Sequence, residues 1–138
     1  MEVSVEKPNP KGTMFVELIP KLMDLLKDPN VSRIEVVMAS YELDDNGQRK
    51  MEGGKEVIAI RPFIVSGMDK KVQDELRKEY ESGPITLLMI LWMDRTRAGM
   101  PGMFFFDPAD RKRTHGIGGM DHLEKTAMAD YLNRQVKE

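Results

Sequence analysis

No cysteine occurs in the 138 residues, which removes disulfides, thiolate nucleophiles and thiolate-ligated metals together and fits a reducing compartment. Neither sign of charge is in excess. The chain has 21 Lys and Arg against 23 Asp and Glu, a net of −2, so a charged partner must meet a local patch instead of a bulk field. Long hydrophobic runs are missing too. The longest, Ile85 to Met93, is broken by Thr86 and falls far short of the ~20 residues that span a bilayer. The stretch Met1 to Lys11 carries Glu2, Glu6 and two prolines in place of the cationic start and apolar run of a secretory signal. These absences predict a soluble, cytoplasmic protein with no membrane partner, built as one domain over 1–138 with residues 1–12 an extended lead-in.

What is present is enough for a core. Hydrophobic residues make up 41% and charged residues 32%, a balance unlike that of a disordered tail. A chain of this length buries about two thirds of its unfolded surface. Twelve methionines stand against one tryptophan and five phenylalanines. Unbranched thioethers fill irregular core gaps and also serve adaptable contact surfaces.

Apolar residues recur at helical spacing through Phe15, Leu18, Ile19, Leu22, Met23 and Leu26, with Thr13 placed to cap the first turn. Pro20 interrupts this pattern, so the helix either kinks there or begins there. Arg33 to Leu43 is apolar on both parities, as in a strand covered on both faces or one that changes face at a bulge. Asn46-Gly47 predicts a hairpin turn, Gln48 to Glu52 a short return strand, and Gly53-Gly54 a second turn into a strand over 56–65. Pro62 pushes that strand toward a sheet edge. Ser66 with Asp69 reads as a capping box for a helix whose narrow stripe is Met68, Val72, Leu76 and Tyr80.

Ile85 to Met93 predicts the most buried strand, and Met103 to Phe106 its hairpin partner after the loop 94–102. Asp107-Pro108 predicts one helical turn, and Met120 to Lys137 a final amphipathic helix. The expected fold is α+β: an antiparallel sheet of four to five strands with three helices, in the order α-β-β-(β)-α-β-β-α. This order resembles that of several small α+β modules, including secretion-chaperone-like and roadblock-like domains, and no motif identifies either family.

Two stretches carry functional expectations. The first runs through Arg111, Lys112, Arg113, Thr114, His115, Gly116, Gly118 and Gly119, just before the last helix. Glycines let backbone N–H groups approach an anion, and a helix start adds free donors. The spacing is neither the dinucleotide fingerprint nor the P-loop, and Asp121 competes for the same helix end. Arg95 and Arg97 would extend this basic patch if the fold brings the loops together, and phosphates or single-stranded nucleic acid are the ligands such a patch takes.

The second is the hairpin itself, where Trp92, Met93, Met100, Met103, Phe104, Phe105 and Phe106 concentrate soft and aromatic surface. Phe105 points opposite to Phe104 and Phe106, so both faces of the last strand are large and apolar and need a cover.

Catalysis has little to build on. His115 and His122 are the only imidazoles and do not form an i, i+4 pair. Ser32, Ser40, Ser66 and Ser82 sit in no glycine elbow, and Asp44-Asp45 falls in a turn, where Asp is common for backbone reasons. No catalytic residue, metal site or cofactor is assigned. The first expectation is therefore a non-catalytic interaction module, adaptor-, chaperone- or inhibitor-like, homodimeric through the Met- and Phe-rich hairpin. The alternative is a phosphorylated-ligand or nucleic-acid site on the loop 111–119.

Overall fold

The structure is a computed structural model that describes residues 10–97, 100–106 and 122–136. Helix α1 (Pro10–Lys27) leads into β1 (Val31–Tyr41), β2 (Met51–Glu52), β3 (Lys55–Glu56) and β4 (Ile58–Val65). Helix α2 (Lys70–Glu81), β5 (Leu87–Asp94), β6 (Pro101–Phe106) and α3 (His122–Val136) follow. A four-stranded sheet in the order β4-β1-β5-β6 is antiparallel throughout, and β2 and β3 form a separate two-stranded ribbon. The α+β order read from the sequence is the order observed.

Two helices cover one face and one covers the other. Val36, Met38, Val65, Leu88, Ile90 and Phe106 pack against Leu18, Leu22 and Leu25 of α1 and Leu76 and Tyr80 of α2. On the opposite face Val37, Ala39, Leu87, Met89 and Leu91 meet Leu123, Ala127, Met128 and Tyr131 of α3. This explains why β1 and β5 are apolar on both parities: they are the inner strands of a sheet buried on both sides. Leu87 to Leu91 are all at most 2% exposed.

Local chemistry accounts for most element ends, with some differences from the spacing-based expectation. Helix α1 starts at Pro10, ahead of Thr13, so residues 10–12 are helical; proline is well suited to a first helical position, where its missing N–H has no partner to lose. The strand expected at 3–5 and the rest of the lead-in lie outside the described residues. Pro20 stays inside one continuous helix. Both Pro20 and Val16, whose carbonyl lacks its usual donor, are exposed, so water can satisfy that oxygen.

The residue that caps α2 is Asp69, not Ser66: its side chain accepts from the Val72 N–H at 2.9 Å. In the turn after β1 only Gly47 has positive φ. Asp44 closes it instead, its carboxylate accepting from the N–H groups of Asn46 and Gln48, an Asx arrangement. Gly53 and Gly54 both have positive φ, at 57° and 79°, as a two-residue hairpin loop requires.

Pro62 lies on β4, an edge strand, opposite Val37. The Glu42 N–H donates to the Val57 carbonyl, and bonded pairs alternate along an antiparallel ladder. Counting by twos from that pair, in the register of β1 and β4, makes Val37–Pro62 a non-bonded pair, with the proline nitrogen toward the open edge. There it disrupts any strand that would add to β4. The helical turn expected at 107–110 lies outside the described residues, and among the described residues no helix is long and apolar enough to cross a membrane.

Candidate functional site

The β5–β6 hairpin builds the candidate interaction surface. Trp92 pairs across the ladder with Gly102, Leu91 with Met103, Ile90 with Phe104, Met89 with Phe105 and Leu88 with Phe106. The hairpin residues named from the sequence then divide by depth. Phe106 is 5% exposed and belongs to the core under α1 and α2, and Trp92 packs against the same core. Met93, Met103 and Phe105 are half-buried at the margin of the α3 face. Met100 and Phe104 remain 41% and 39% exposed. The surface available to a partner is therefore Met100 and Phe104, flanked by Met103 and Phe105, while Trp92 and Phe106 hold the strand in place.

Phe104 is dressed by its neighbours. Its ring centroid lies 5.0 Å from that of Phe106, and Lys21 Nζ of α1 stands 4.6 Å above it and 5.9 Å from the Trp92 ring, a cation over aromatic faces. Pro101 and Gly102 open β6, and the residues after them, Met103 to Phe106, carry no charge and no further proline. Charge and proline, two of the devices that natural proteins place on an edge strand, are therefore lacking along that stretch.

Arg95 and Arg97 are exposed in the turn after β5. That turn is fixed by Asp94, whose Oδ1 accepts from the Thr96 hydroxyl at 2.6 Å and the Thr96 N–H at 2.9 Å, while the Arg97 N–H donates to the Asp94 carbonyl. These bonds, the Thr96 hydroxyl first, hold the Asp94 carboxyl below its ordinary value of 3.8. A group with a depressed folded pKa stabilises the fold above its unfolded pKa and loses that contribution as pH falls through the folded value. A carboxyl-detected NMR titration should place Asp94 below 3.8, and Thr96→Val should move it upward. An unmoved midpoint would show that the hydroxyl does not organise the turn.

The basic stretch Arg111, Lys112, Arg113, Thr114, His115, Gly116, Gly118 and Gly119 lies outside the described residues. His122 opens α3 and is exposed. Among the described residues no group of three or more His, Asp and Glu side chains stands close enough to hold a metal ion.

A polar cluster between β1 and α3 was not singled out by the sequence reading. Glu35 is 3% exposed on the face that α3 covers. Both its oxygens accept from Arg134 Nη1 at 2.6 Å, and Oε2 also accepts from the Gln135 amide at 3.1 Å. Arg134 Nε donates to Asp130 at 3.0 Å. Between Ser32 and Glu35 β1 carries a bulge, and Arg33 sits there at φ 54°, in the left-handed region that costs about 1–2 kcal/mol for a non-glycine residue. The Tyr131 hydroxyl donates to the Arg33 carbonyl at 2.7 Å and secures that conformation. Burial, with the Glu35 charge second, raises the Tyr131 pKa and keeps the phenol a donor. A lone glutamate inside the run Ile34-Glu35-Val36-Val37-Met38 was the available signal, because a charge on a core-facing parity needs a partner.

Comparison with protein-family models, curated proteins and solved structures finds no match to this chain.

Proposed function

We propose that the chain is a non-catalytic protein-interaction module, adaptor-, chaperone- or inhibitor-like in kind, that forms a homodimer through the edge of β6. The observation that carries this reading is Phe104, a large aromatic 39% exposed on an edge strand whose residues 103–106 are bare of charge. The opposite edge, β4, is closed to strand addition by Pro62, which leaves β6 as the edge that can pair. Met100 beside it adds soft, adaptable surface.

Sedimentation equilibrium is expected to show a dimer at micromolar concentrations. Phe104→Asp should raise the dissociation constant about 30-fold, the ~2 kcal/mol of an aromatic anchor, with the fold retained because the ring is already partly in water. A wild-type chain that stays monomeric at high micromolar concentration and binds no apolar dye would overturn the proposal.

The second reading is a phosphorylated ligand or nucleic acid held by Arg95, Arg97 and the stretch 111–119. Its support is the exposure of both arginines in the turn that follows β5. The two readings separate by salt: anion binding weakens steeply with ionic strength, whereas apolar dimerisation does not.

A further inference from the structure

Lys21 of α1 reaches the β6 edge without an acidic partner. Its Nζ stands 4.6 Å from the ring centroid of Phe104 and 5.9 Å from that of Trp92. Glu17 and Asp24, one turn before and one turn after it on the same flank of the helix, are both exposed. Among the described residues, however, no carboxylate pairs with Lys21. The ammonium therefore sits over aromatic faces although acids are within reach along its own helix, as a cation attracted by ring electrons does.

Phe104 is 39% exposed, and Phe106, whose ring is 5.0 Å away and tilted by 55°, supports it from the core. Covering the rest of the Phe104 ring would take the Lys21 ammonium out of water along with it. A cation enclosed in an apolar contact with no carboxylate to meet it costs association free energy, and moving it aside forfeits its attraction to the rings. Either route works against a second copy. Residues 103–106 carry no charge of their own, and lysine is a common guard of edge strands. Here the lysine is delivered from a helix instead of from the strand.

We propose, on the reading of the β6 edge as the self-association surface, that Lys21 is a displaceable guard over the Phe104 anchor. It is an autoinhibitory contact that weakens self-association for as long as its charge stands over the ring.

Sedimentation equilibrium of the full chain tests this with three variants. Lys21→Met keeps the stem and loses the charge, Lys21→Ala loses both, and Lys21→Arg keeps a cation. The Met and Ala variants should dimerise about fivefold to tenfold more tightly than the parent, and the Arg variant should stay within about twofold of it. Methionine and alanine are good helix formers, and matching urea midpoints would show that the fold is kept. A second measurement needs no dimer. In a sample dilute enough to be monomeric, the Lys21 Hε protons should resonate upfield of their position in Phe104→Leu, because the ring current of Phe104 acts on them. A parent that dimerises while the Met and Ala variants dimerise no more tightly would overturn the guard and leave the dimer standing. A missing upfield shift would place the ammonium off the ring and overturn it as well. A parent and variants that all stay monomeric at high micromolar concentration would overturn the dimer itself, and the guard with it.

Discussion

Replacing Arg134 with methionine is expected to cost about 3–5 kcal/mol of folding stability, the penalty for stranding a buried charge. Methionine keeps the apolar stem of the side chain, so the loss would come from the guanidinium alone. Glu35, 3% exposed, would retain among the described residues the Gln135 amide at 3.1 Å, and one neutral bond does not offset removal from water. Urea unfolding at neutral pH measures the effect. The double variant Glu35→Leu/Arg134→Met should recover most of it, because a well-packed apolar pair often replaces a buried ion pair without loss. A single variant within about 1 kcal/mol of the parent would mean that the pair contributes little, and that α3 is held to the sheet by its apolar stripe alone.

Gly102→Val should destabilise by about 1–3 kcal/mol or more and also disrupt self-association. A Cβ at this position would fall inside the Trp92 indole, against Cε2, Nε1 and Cζ2. The ring lies flat over the glycine opposite it in the ladder and cannot retreat, because its other side packs on the core beneath α1 and α2. Either the indole leaves its place or β6 shifts, and both move Phe104 two residues on. Chemical denaturation reads the first effect and sedimentation the second. Gly102→Ala behaving as the parent in both would place Trp92 elsewhere.

Much of the fold was legible because its determinants are local or periodic. The two-sided apolar pattern of β1 and β5 announced a doubly covered sheet, Pro62 announced an edge, and Gly53-Gly54 announced a tight turn. The errors were equally physical. Ser66 and Asp69 are both good caps, and only the path of the chain into α2 chose between them. Asn46-Gly47 matched a two-residue hairpin, but Asp44 supplied acceptors that organised a longer turn. The hairpin aromatics were recognised as a group, yet a sequence alternates faces without saying how deeply each is covered. Phe104 and Phe106 share a parity and differ about eightfold in exposure.

The chain's composition and spacing were sufficient for the element order, the inner and outer strands, and the absence of cysteine chemistry, since each depends on residues near one another in the chain. Pairings across long separations were out of reach. Glu35 meets Arg134 across 99 residues, and Tyr131 holds the Arg33 carbonyl across 98. Burial, partnership and the shape of a cavity are properties of packed neighbours. They come into being only when the sheet and its helices close on one another.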